Sequence, residues 1–155
     1  MALSQTALLE SVPKGLFIDG AWRAASDGAT LPVDDPATGR VLAHVASATV
    51  ADGKAALDAA VAAQHAWART APRDRGEILR RAYEAIIART DDFALLMTLE
   101  MGKPLAEARG EVLYGAGLFR WFSEEAVRIH GRYAVSPNGA TRLMTMKQPV
   151  GPTLM

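Results

Sequence analysis

The sequence predicts a mixed α/β chain: two β-hairpins, then four helices, then a further extended hairpin. Three observations carry this reading. Asp19-Gly20 lies between the short apolar runs 16–18 and 21–23, and a DG pair in that setting is a hairpin signal. From residue 50 the apolar residues recur at helical spacing and keep doing so to residue 130. Beyond Gly131 the pattern becomes extended again, on either side of the turn sequence Ser136-Pro137-Asn138-Gly139.

A second hairpin is expected about Asp35-Pro36-Ala37-Thr38-Gly39, pairing 31–34 with 40–45 and placing Val41, Ala43 and Val45 on one face. The first helix covers 50–67, with Leu57, Ala60, Val61 and Gln64 in phase. Thr49 is its N-cap, and Asp52 three residues on completes a capping box. A second helix covers 73–89, with Ile78, Leu79, Ala82, Ala85 and Ile86 as its stripe and Glu77–Arg81 as an i,i+4 pair. Thr90 caps a short third helix, whose first turn carries Asp91 and Asp92 at the positive end of the dipole. Gly102 stops it, and Pro104 suits the first position of a fourth helix over 105–130.

Leu105, Val112, Phe119, Phe122, Ala126 and Ile129 trace the apolar stripe of that fourth helix. Gly110, Gly115 and Gly117 lie inside it, each costing up to about 1 kcal/mol against Ala. Such glycines point to a close neighbour, either another helix or a ligand channel. In the last hairpin, 132–135 and 141–147, Leu143, Thr145 and Lys147 face one way and Met144, Met146 and Gln148 the other. A two-stranded ribbon that apolar is not stable alone in water, so it reads as an arm packing on another subunit.

Composition narrows the function classes. The chain has 155 residues, 50% hydrophobic and 22% charged, the balance of one globular domain. Seventeen basic residues against 17 acidic ones leave no net charge, which argues against a nucleic-acid partner. There is no cysteine, so these residues hold no disulfide, thiolate metal site or cysteine nucleophile. No apolar run approaches the roughly 20 residues of a membrane span. Residues 1–13 lack a basic segment followed by a long apolar one, so no secretory signal is read and a cytoplasmic location is expected.

Catalytic motifs are absent. Gly115-Ala116-Gly117 is a fragment of a dinucleotide fingerprint, with Arg120 in the third glycine's place and a helix where a strand-to-helix turn is required. His44, His65 and His130 stand apart, and no GxSxG or GxxxxGK[ST] occurs. Glu100 is the one unusual acid, since it falls in phase with Phe93, Leu96 and Met97 on the expected apolar face. A buried carboxylate needs local hydrogen bonds, a basic partner or a metal ion. The Lys103–Glu107 and Arg120–Glu124–Arg128 series read as solvated helix faces.

The phrases LFIDGAW (16–22), DPATG (35–39), TLEMGKPLAEARGEV (98–112), WFSEEAVRIHG (121–131) and KQPVG (147–151) resemble the N-terminal part of the aldehyde dehydrogenase superfamily. Within it they are similar to the succinate-semialdehyde dehydrogenases. The resemblance implies an α/β fold, with residues 1–131 as the outer part of an NAD(P)-binding domain. Residues 132–148 would be the hairpin of the oligomerisation domain, and 149–155 the start of the return into the NAD(P)-binding domain.

It also implies oxidation of an aldehyde to a carboxylic acid with NAD or NADP, by way of a cysteine thioester. The catalytic cysteine, glutamate and asparagine and the cofactor loop would all lie beyond Met155. The expected consequence is a chain with no catalytic or cofactor-binding residue of its own, inactive alone and part of a dimer or tetramer. Glu100, with the carbonyls of Val33 and Asp34, would sit beside a monovalent cation. Gly110, Tyr114, Gly117 and Trp121 would form a wall of the substrate entrance. Pro152 departs from the pattern, because it removes an N–H where relatives carry Val or Ile. A competing reading is a non-enzymatic helical interaction or assembly module derived from the same region.

Overall fold

The computed structural model describes residues 4–154. It opens with an element that the apolar period does not announce, helix α1 (Gln5–Ser11). Two turns are too few for a periodic stripe to show. Ser4 caps α1 by accepting from the Ala7 N–H, and the Lys14 ammonium donates to the carbonyls of Leu9 and Val12 at the other end. Leu8, 1% exposed, anchors this helix, which packs on α4 (Thr90–Met101).

Three separate antiparallel hairpins follow the order expected. Strands β1 (Leu16–Ile18) and β2 (Ala21–Arg23) pair through Phe17 and Trp22, whose rings lie 5.1 Å apart. Strands β3 (Thr30–Asp34) and β4 (Val41–Ala46) are joined by a turn built on Asp35. The Asp35 carboxylate accepts from the Thr38 hydroxyl and the Ala37 N–H, both at 2.8 Å, and these bonds hold its pKa below the usual carboxylate value. Register slips between Val33 and Asp34, with Leu42 as the extra residue. The bulge breaks the expected alternation: Val41 is exposed, while Ala43 and Val45 are half-buried.

Helix α2 (Val50–Arg69) begins with the capping box read from sequence, which does more than cap. One Asp52 oxygen accepts from the Thr49 N–H and hydroxyl and from the Ser26 N–H and hydroxyl. The carboxylate therefore ties the segment after β2 to the helix. Helix α3 (Pro72–Ala88) buries Gly76 and half-buries Leu79, Ala82, Tyr83 and Ile86, whereas the predicted stripe residues Ile78 and Ala85 face solvent. Its ion pairs are also re-partnered. Glu77 and Glu84 both bind Arg80, the first at 2.8 Å, rather than Arg81.

Helix α4 starts directly after Arg89, and the Thr90 hydroxyl donates backwards to the Ile87 carbonyl at 2.8 Å instead of capping. Gly102 (φ 78) ends it in the left-handed conformation, as expected of a glycine C-cap. Pro104 is the N-cap of α5 (Leu105–Glu125) rather than its first residue, and that helix stops short of the predicted 130. The small seam Ala108, Val112 and Ala116 faces inward, with Ala108 and Val112 meeting Ala94, Ile86 and Met97. Phe119, Phe122 and Ile129, expected inside, are exposed.

No heavy atom lies within 4 Å of a Cβ placed at Gly110, Gly115 or Gly117, so the close neighbour expected there is not among the described residues. Among the helical glycines the close approach to another backbone is at Gly76 instead. Strands β5 (Arg132–Val135) and β6 (Arg142–Thr145) form the last hairpin, exposed along both strands.

Candidate functional site

Two places in this fold carry the residues singled out from sequence. The first is the C-terminal end of α4. Gly102 turns the chain against the β3–β4 turn so closely that a Cβ on it would stand 3.1 Å from Pro36 Cγ. The end of the helix bearing Glu100 and the strand bearing Val33 and Asp34 are therefore neighbouring elements. Glu100 is exposed, which corrects the expected burial: Ala94, Met97 and Thr98 form the inward side of α4. With α3 and α5 both against it, α4 is oriented by its smallest residues, and the Phe93–Glu100 side rotates outward. Val33 is half-buried and Asp34 exposed, at the point where the β3–β4 ladder slips.

The second place is one face of α5. Gly110, Tyr114, Gly117 and Trp121 recur at i, i+4, i+7 and i+11 and line a single side of the helix. Tyr114 is 73% exposed and Trp121 62%, with Leu118 exposed between them. Gly117 leaves a shallow open step between the two rings, and Gly110 leaves another on the N-terminal side of Tyr114. Such a face suits the passage or packing of an apolar group. Lys103–Glu111 and Arg109–Asp91 (2.7 Å) ion pairs hold α5 against α4 from its first turns. Lys103 thus pairs with Glu111 and not with Glu107, while Arg120–Glu124 forms at 2.7 Å as read.

Sequence reasoning missed a third feature. A cleft of about 820 Å³ lies between the exposed C-terminal half of α2 and residues 147–152, lined by Gln64, Trp67, Arg75, Lys147, Gln148 and Pro152 among others. The Arg75 guanidinium is held by the Thr70 carbonyl at 2.8 Å. No local pattern marks these residues, because they are brought together only by the return of the chain after the last hairpin.

His44, His65 and His130 do not converge, and among the described residues no three His, Asp or Glu side chains gather to hold a metal ion. No helix of the described residues is long and apolar enough to cross a membrane. Gly115-Ala116-Gly117 lies in the middle of α5, where its N–H groups belong to the helix, so these residues do not fit a dinucleotide phosphate.

Residues 22–155 match the model of the aldehyde dehydrogenase family. The chain belongs to that family. It is 64% identical over 115 residues to a succinate-semialdehyde dehydrogenase of Paenarthrobacter nicotinovorans, covering 74% of this chain and 26% of that protein. Over 137 residues it is 42% identical to a glutarate-semialdehyde dehydrogenase of Pseudomonas aeruginosa, covering 88% of this chain and 28% of the relative. The crystal structure of an aldehyde dehydrogenase from Brucella melitensis biovar abortus superimposes with a TM-score of 0.86 at 45% identity, over 97% of this chain and 30% of that one. The chain thus spans a little over a quarter of the curated relatives it matches.

Proposed function

We propose that the protein carrying this segment oxidises a small semialdehyde, succinate semialdehyde first, to the dicarboxylate with NAD or NADP. The observation behind the choice of substrate is the 64% identity to a succinate-semialdehyde dehydrogenase. The nucleotide supplies the hydride acceptor, and the thiolate comes from outside these cysteine-free 155 residues. By itself the segment is inactive, because it holds neither nucleophile nor phosphate-binding loop.

Its own residues shape and support the site. Tyr114 and Trp121, with Gly110 and Gly117 on the same face, form a wall of the substrate entrance. Glu100, with the carbonyls of Val33 and Asp34, sits beside a monovalent cation at the junction of α4 and the β3–β4 turn. The ladder slip between Val33 and Asp34 supports this, since a bulge takes backbone groups out of regular pairing. Residues 1–131 belong to the cofactor-binding domain, 132–148 to an arm that joins a sheet in a homodimer or tetramer, and 149–155 to the return strand.

The test uses the complete polypeptide. Purified enzyme should reduce NAD or NADP with succinate semialdehyde at a higher kcat/KM than with glutarate semialdehyde. A preference for a non-carboxylated aldehyde overturns the substrate. Trp121→Ala should raise KM and leave kcat nearly unchanged, and an equal loss in both parameters places Trp121 elsewhere.

A further inference from the structure

We propose that Asn138, at the tip of the β5–β6 hairpin, is a site of spontaneous deamidation whose turn geometry assists the reaction. Asn138 is the one asparagine in the chain, and glycine follows it. Residues 137–140 are all exposed. Gly139 has φ +73 and, its chain neighbours aside, nothing within 4 Å of where a Cβ would stand, so the hairpin tip is open on that side. The Asn138 side-chain oxygen accepts two hydrogen bonds, from the Ser136 hydroxyl at 2.7 Å and from the Ala140 N–H at 3.0 Å. Both donors aim at the atom on which negative charge develops when the amide carbon is attacked, the arrangement that stabilises a tetrahedral oxyanion.

The Gly139 nitrogen loses its proton to solvent and bonds to Asn138 Cγ. The C–N bond to the side-chain nitrogen then breaks, and that nitrogen leaves as ammonia after taking up a proton. Water opens the resulting succinimide at one of its two carbonyls, giving aspartate or isoaspartate. The Gly139 N–H is donated to the Ser136 carbonyl at 2.9 Å, and this one exposed turn bond must open first. Opening is cheap at a hairpin tip, where no buried contact is lost with it. The aspartate product keeps an acceptor for Ser136 and Ala140. The isoaspartate product lengthens the backbone and disrupts the bond from the Ser136 N–H to the Thr141 carbonyl.

The experiment incubates the purified 155-residue chain, and separately the free peptide 133–142, in mildly alkaline buffer, followed by tryptic mass spectrometry. Trypsin releases the same segment, 133–142, from the chain. Asp19-Gly20, Asp27-Gly28 and Asp52-Gly53 can isomerise too, but without a change of mass, so the amide-to-acid mass gain reports on Asn138. The chain is expected to gain that mass at a rate within a few-fold of the free peptide, with an isoaspartyl fraction. Ser136→Ala should slow it several-fold. A rate in the chain far below that of the peptide overturns the site, and a Ser136→Ala rate equal to or above that of the parent overturns the assistance.

Discussion

Gly76 of α3 lies beneath the Ser123 carbonyl of α5: a Cβ at position 76 would stand 2.6 Å from that oxygen. This is backbone, not the end of a flexible side chain, so the helices must separate to admit a methyl group. Gly76→Ala is expected to cost about 1–3 kcal/mol through overpacking, read as a lowered denaturation midpoint in urea. Gly110→Ala, Gly115→Ala and Gly117→Ala meet only open space in this chain and should each stabilise it by up to about 1 kcal/mol through helix propensity. Equal effects at positions 76 and 117 contradict the packing described.

The Thr49–Asp52–Ser26 network makes stability pH-dependent in acid. Bonds from the Thr49 and Ser26 N–H groups lower the Asp52 pKa from 3.8 to about 2. The folded-state value lies below the unfolded one, so the stabilisation is complete above 3.8 and is lost as pH falls through about 2. Asp52→Asn should flatten that acid limb. Thr49→Ala, which removes the cap, should cost about 1 kcal/mol at neutral pH. Unfolding curves recorded across the acid range check both.

Leu8 and Glu100 make an opposed pair. Leu8, buried between α1 and α4, should cost about 2–5 kcal/mol as Leu8→Ala, since the short α1 has no other fully buried side chain. Glu100 is exposed, and Glu100→Leu should shift stability of the 155-residue chain by no more than about 0.5 kcal/mol. In the complete enzyme the same variant should abolish any difference in melting temperature between sodium and potassium buffers.

The 155-residue chain should associate in solution. Tyr133, Val135, Leu143, Met144 and Met146 are exposed on a hairpin that has no third strand among the described residues, and Phe119, Trp121 and Phe122 are exposed on α5. Light scattering on size exclusion should show a concentration-dependent mass above 16.5 kDa. A concentration-independent monomer contradicts this, and Met144→Lys with Met146→Lys should shift the equilibrium toward monomer.

Local chemistry determined what was legible in the sequence. The Asp19-Gly20 hairpin, the Asp35 turn, the Thr49–Asp52 capping box and the Gly102 stop each depend on residues within a few positions of one another. Each therefore survives whatever the rest of the molecule does. The family resemblance was legible for a similar reason, because its phrases are contiguous. Helix orientation was not. Whether Glu100 or Ala94 points inward depends on which side of α4 is taken by α3 and α5, and a stripe containing both small and large apolar residues permits either phase. The tertiary structure chose the small ones, Ala94, Ala108, Val112 and Ala116, because close helix contact favours short side chains. Sequence spacing aligned Tyr114 and Trp121 on one face of α5, and the packing of α5 against α3 and α4 left that face open.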